Sequence, residues 1–237
     1  MSAVIKLYRF PPLDSLPSAS PFCVKVEAYL RMAGIEYEPR DMTDPRKAPK
    51  GKLPFIRDGD KVIADSAAII DYLKGRYGDP LDKDMTAAEQ ATALGYRRMM
   101  EEHTYFCIVQ MRWMRDDTWS QVKTRYFSSM PAPLRWFVPG MARNQVRHDL
   151  RGQGIARHTD GEIDAKALED VRAISNFLGD KAYFLGAAPT SLDATGYGFL
   201  TSLLRAPFSL PTQAEVDELD NLAAYCERLD RQYFTDA

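Results

Sequence analysis

Cysteine and histidine are scarce, with three of each in 237 residues. Cys23, Cys107 and Cys226 are odd in number and far apart, which argues against a disulfide framework or a cysteine metal cluster and suits a reducing compartment. His103, His148 and His158 show no metal-ligand spacing, so no metal is expected. No apolar run approaches the roughly 20 residues that a membrane helix needs, so no membrane span is expected. The opening Met1-Ser2-Ala3-Val4-Ile5-Lys6 lacks an apolar segment with a cleavage site, and no secretory leader is expected. A formal charge of −2 gives no basic footprint for nucleic acid. Internal repeats and low-complexity tracts are absent. These absences leave a soluble, cytoplasmic chain, long enough for one large domain or two small ones.

What is present begins with Val4 to Phe10, a β-branched and aromatic run ended by Pro11-Pro12 that reads as a buried strand. Beyond a polar loop, Phe22, Val26, Tyr29 and Ala33 recur at helical spacing. Pro21 suits the first helical turn, Ser20 falls at the N-cap, and Gly34 suits the C-terminal cap. Ser20-Pro21-Phe22-Cys23 is a C-x-x-C motif whose leading cysteine is serine. Ile35 to Glu38 reads as a second strand. Asp58-Gly59 turns Leu53-Pro54-Phe55-Ile56 back into Lys61 to Ala64, a hairpin, and Pro54 at its start requires an edge position or a special peptide bond. Asp65-Ser66 opens a helix through Ile69, Ile70, Leu73 and Tyr77. Residues 1–78 therefore form a β-α-β…β-β-α unit.

Past Pro80 the pattern is helical. Thr86 and Glu89 form a capping box for a long helix reaching the neighbourhood of Asp116, with a second from Trp119 to Met130. Pro131, Pro133 and Pro139 predict an irregular, packed stretch around Leu134-Arg135-Trp136-Phe137, with helix resuming over 143–151. Further helices are predicted from the Thr159–Glu162 capping box, from Thr190-Ser191-Leu192-Asp193, and over 219–233. The reading is an α/β thioredoxin-like domain, 1–78, followed by an all-α domain, 86–237.

These residues resemble the glutathione transferase superfamily over nearly the whole chain. The likeness rests on the Ser-Pro-Phe-Cys helix, on Leu53-Pro54 before a hairpin, on Ala64-Asp65-Ser66-Ala67-Ala68-Ile69, and on Phe184-Leu185-Gly186 leading to Pro189-Thr190-Ser191-Leu192-Asp193. Pro17 to Cys23, Tyr29 to Gly34 and Gly154 to Thr159 are similar to the branch containing the failed-axon-connections proteins and the metaxins.

The resemblance implies glutathione as co-substrate, a small hydrophobic electrophile as second substrate, a role in detoxification, and a homodimer. Leu53, before the cis-proline Pro54, would lend its backbone to the cysteinyl part of glutathione. Asp65 would pair the ligand's ammonium, and the Ser66 hydroxyl with its helix N-terminus would hold the γ-glutamyl carboxylate. Lys52 is the candidate for the glycyl carboxylate. Ser20 is the first candidate to donate a hydroxyl to the thiol, backed by the positive end of its helix, Ser18 is its main rival, and Tyr8 is a third. The second-substrate pocket is expected against the first long helix of the helical half, with Tyr105, Met111, Arg112 and Trp113 as contributors or as core. Two alternatives stand beside the transferase: a non-catalytic binding protein of metaxin type, and a glutathione-dependent oxidoreductase using Cys23.

Overall fold

The computed structural model describes residues 4–128 and 130–235. Met1 to Ala3 at the start, Ser129 within the predicted 119–130 helix, and the last two residues of the polar C-terminal end lie outside the described residues. Four strands form one sheet in the order β2-β1-β3-β4. They are β1 (Ile5–Arg9), β2 (Tyr37–Asp41), β3 (Phe55–Asp58) and β4 (Lys61–Ala64). β1 pairs parallel with β2, Leu7 opposite Pro39, and antiparallel with β3, Leu7 opposite Ile56. β3 and β4 close the predicted hairpin, with Gly59 at φ +57° in the turn. β2 starts two residues later than predicted, because Gly34 at φ +65° and the two residues after it form the exit from the preceding helix.

That helix, α1 (Pro21–Met32), crosses from β1 to β2, and α2 (Ser66–Tyr77) follows β4. The remaining helices are α3 (Ala87–Met99), α4 (Tyr105–Met114), α5 (Asp116–Phe127), α6 (Leu134–Gln153), α7 (Asp160–Leu178), α8 (Ser191–Leu204), α9 (Gln213–Asp217) and α10 (Asp220–Tyr233). A π-helical turn, Met100–Thr104, joins α3 to α4, which makes the long helix expected before Asp116. Both exposed capping boxes form: Thr86 N–H donates to Glu89 Oε2 at 2.8 Å and Thr159 N–H to Glu162 Oε2 at 2.7 Å.

The stretch around Leu134 to Phe137 is a correction. It is regular helix, not irregular, and Leu134, Trp136 and Phe137 are exposed, not packed. Pro133 stands just before the first turn, where its ring needs no donor. Pro139, in the second turn, removes only the one bond that would reach the Arg135 carbonyl.

By compactness the chain divides into Met1–Arg97 with Ser175–Ala206 and Asp220–Ala237, and Arg98–Ile174 with Pro207–Leu219. In that division α8 and α10 group with the strands. The reason is visible at Gly198. A Cβ built there would lie 2.6 Å from the Pro21 carbonyl oxygen and 2.9 Å from the Lys25 nitrogen, so α8 meets the α1 backbone where only glycine fits. The start of α8 is fixed by Asp193, whose carboxylate accepts from the Thr190 and Phe184 N–H groups at 2.8 and 2.9 Å and from the Tyr225 hydroxyl at 3.0 Å. Asp82 accepts from the Ser191 N–H at 2.7 Å and pairs with Lys74 of α2.

Gly198→Ala forces a methyl onto backbone atoms that no rotamer change can move, and should cost about 1–3 kcal/mol in urea unfolding. Gly95→Ala, with open space at its Cβ in α3, should be neutral or stabilise by up to about 1 kcal/mol.

Candidate functional site

Helix α1 is buried from Cys23 to Leu30, charged residues included. Ser20 occupies its N-cap position in extended backbone and makes no side-chain capping bond to a backbone N–H; its hydroxyl lies within hydrogen-bond reach of the Cys23 thiol. Ser18 is placed differently. It is fully buried, its hydroxyl donates to the Phe10 carbonyl at 2.8 Å, and its oxygen accepts from the Ser20 N–H at 3.4 Å. A serine has one proton to donate, and that of Ser18 goes to Phe10.

Cys23 lies one turn into α1 and is fully buried. Burial pushes its thiol up to about 11, outweighing the polar groups that act the other way, the Phe10 backbone and the nearby Ser20 and Ser18 side chains. Cys23 packs with Ala48, Leu53 and Phe55, and the Tyr8 ring stacks on Phe55 at 4.2 Å. Tyr8 thus serves the packing beside the strands. The Leu53–Pro54 peptide is cis and leads straight into β3. Lys52, next to it, is exposed.

At the start of α2, Asp65 holds φ +90°, a conformation that side-chain-bearing residues rarely adopt. Its Oδ1 accepts from the Ala67 and Ala68 N–H groups at 3.0 and 3.1 Å, which caps the helix. Ser66 is buried beside it, and its Oγ accepts from Lys25 Nζ at 3.3 Å. Lys25 is itself fully buried. Two separate stretches therefore converge on α1: Leu53 through Cys23, and Ser66 through Lys25.

Further down α1, Glu27 is buried between Arg9 and Arg31. The Tyr37 hydroxyl donates to Glu27 at 2.7 Å and accepts from Arg31 Nε at 2.8 Å. The network binds β1, α1 and β2 together, each buried charge answered by an opposite one.

The expected second-substrate residues lie in the other compact unit. Met111 is fully buried, Trp113 lies among Trp119, Tyr126 and Phe127, and the Arg112 guanidinium sits 5.3 Å over the Phe208 ring. Tyr105 meets Phe106 edge-on at 5.2 Å. His103 Nδ1 lies 2.7 Å from Asp170 Oδ2, which also accepts from the Thr104 hydroxyl at 2.6 Å.

Residues 21–118 match the glutathione S-transferase N-terminal domain, and residues 167–229 match the glutathione S-transferase C-terminal domain. An isoprene-epoxide–glutathione S-transferase of a Rhodococcus is 33% identical over 236 residues, spanning 97% of this chain and 99% of its own. The chain belongs to the glutathione S-transferase family. Within that family it is also 31% identical to failed axon connections of Drosophila melanogaster, over 98% of this chain and 59% of that protein. Metaxin-1 of Mus musculus is 30% identical over 99% of this chain and 76% of its own. Among solved structures, a glutathione S-transferase of Ceriporiopsis subvermispora in complex with glutathione superposes with TM-score 0.67 at 19% identity, over 97% of this chain and 98% of that one. The beta-etherase LigF from Sphingobium gives 0.66 at 18%, over 99% and 100%. These two likenesses confirm the transferase fold.

Sequence reasoning missed Lys25. Helical spacing does not show its enclosure, and only the burial of α1 on every side reveals its role. All three thiols are buried, and burial raises Cys107 and Cys226 to about 12. Because the folded thiols ionise later than the ordinary value of 9.0, stability from this source is complete below pH 9 and is lost as pH rises through 11. The native chain should therefore leave its thiols unlabelled by a disulfide reagent at pH 8, and its unfolding midpoint should fall from pH 9 upward.

Proposed function

We propose that this chain is a glutathione transferase in which Ser20 ionises the glutathione thiol for attack on a small electrophile. The observation that carries this reading is the state of the two serines. The Ser20 hydroxyl stands at the positive end of α1 with no capping bond, while the Ser18 proton is committed to Phe10. A free thiol ionises near pH 8.5, so a donor and a helix N-terminus aimed at the sulfur increase the thiolate fraction at neutral pH. The 33% identical relative is named for an isoprene epoxide, and an epoxide is the class of electrophile we assign. The thiolate forms a carbon–sulfur bond, the ring carbon–oxygen bond breaks, and the alkoxide takes a proton from solvent. The thiol proton leaves to solvent.

The other end of the tripeptide is assigned to α2. Asp65 spends Oδ1 on its helix, and Oδ2 is the acceptor for the ligand's ammonium. Because Lys25 donates to the Ser66 oxygen, the Ser66 proton serves the γ-glutamyl carboxylate, with the lysine charge behind it. The backbone of Leu53 takes the cysteinyl part and exposed Lys52 the glycyl carboxylate. The residues present fit an anionic tripeptide with one ammonium group. Oxidoreductase chemistry through Cys23 loses support from the buried, weakly acidic thiol. The similarity to failed axon connections and metaxin-1 keeps one second reading, a non-catalytic binding protein on the same fold.

Ser20→Ala should lower turnover by about tenfold or more while glutathione affinity is largely kept, each unit of thiol pKa being worth about 1.36 kcal/mol. Unchanged turnover would remove Ser20 from the mechanism, and an inert parent protein would favour the second reading. Lys25→Met should weaken glutathione about tenfold, about 1.4 kcal/mol, and should also lower the melting temperature, since removing one member of a buried polar pair leaves its partners unsatisfied. Isothermal titration and a melting curve on the same preparation separate the two effects.

A further inference from the structure

Most large apolar side chains are buried, but four exposed ones cluster in the first two turns of α6. Leu134 is 53% exposed, Trp136 67%, Phe137 65% and Met141 67%. Leu134, Phe137 and Met141, three and four residues apart, share the helix face opposite buried Pro139 and Leu150. Such a face in water needs a reason.

The surrounding charge is one-sided. Between positions 123 and 151 stand Lys123, Arg125, Arg135, Arg147 and Arg151 against a single carboxylate, Asp149, in a chain of net charge −2, besides Arg143, which pairs with Asp116. Arg135 is exposed between Leu134 and Trp136. Arg143 anchors the helix below, donating to the Trp113 and Met114 carbonyls at 2.8 and 2.9 Å and to Asp116 at 2.7 Å. The apolar side chains are therefore held outward on a fixed base.

We propose that the N-terminal turns of α6 dock on an anionic lipid bilayer, the apolar side chains entering the headgroup boundary and the arginines meeting lipid phosphates. Exposed Trp, Phe and Leu with Arg135 among them and further arginines along the same helix fit an interfacial surface. The contact is peripheral: no helix among the described residues is long and apolar enough to cross a membrane. A second copy fits the same face less well, because a two-fold contact sets Arg135 and its neighbours against their own equivalents.

The test is co-sedimentation of the full chain with vesicles of phosphatidylcholine, with and without phosphatidylglycerol. Binding is expected only with phosphatidylglycerol, and it should weaken with added salt. The triple variant L134S/F137S/M141S should lose about tenfold or more of the bound fraction. Its melting curve should not change, since all three side chains are exposed. R135E should weaken binding in the same direction. Wild-type protein left in the supernatant with phosphatidylglycerol vesicles overturns the proposal. So does a triple variant that still binds vesicles while sedimentation velocity shows that it has converted a dimer to a monomer. Neither readout involves glutathione, so the outcome is independent of the transferase reading.

Discussion

The structure depends on burying a charged helix. α1 carries Lys25 and Glu27 in its most enclosed part, and each needs a partner from a different element. Glu27 takes Arg9 from β1 and Arg31 from its own helix, and Lys25 takes Ser66 from α2. An unpaired buried charge costs several kcal/mol, so these partners fix where β1, β2 and α2 stand relative to α1. The fourth side of α1 is closed by α8, at a distance only Gly198 allows. The result is a helix approached from its N-cap: Ser20 is half-buried, whereas Cys23 to Leu30 are enclosed.

That arrangement separates the two chemistries that Ser20-Pro21-Phe22-Cys23 holds in principle. The cysteine lies one turn too deep, and desolvation outweighs the hydroxyls around it. The serine stands at the rim, where the helix dipole acts on whatever approaches from outside. α2 repeats the pattern with a different charge. Asp65 accepts an unfavourable backbone conformation to stay at the rim, while Ser66 is held from beneath by Lys25. A positive φ at a residue other than glycine is the kind of local cost that persists where a side chain must face a ligand.

Much of this was legible in the sequence because the signals were local. The succession of strands and helices in the first 78 residues, the hairpin at Asp58-Gly59, the capping boxes at Thr86, Thr159 and Thr190, and the unusual bond at Pro54 all depend on residues close together in the chain. Two things were not legible. Helical spacing in α1 marks one apolar face and does not show that Lys25 and Glu27 are enclosed, which takes partners from β1, β2 and α2 and the close approach of α8. In α6, three prolines and an aromatic run read as packed irregular chain, yet Pro133 and Pro139 fall where a helix tolerates them and the aromatics face outward. Whether an apolar residue is covered depends on what is opposite it, which spacing does not record.

The central claim is that the Ser20 hydroxyl favours the ionised thiol of bound glutathione. The direct measurement is the ultraviolet absorbance of the thiolate, titrated against pH in the binary complex. The account predicts a bound thiol at least about one unit below its free value near 8.5, returning toward that value in Ser20→Ala. A bound thiol that titrates as it does in free solution, or one whose lowered value survives the substitution, would contradict it.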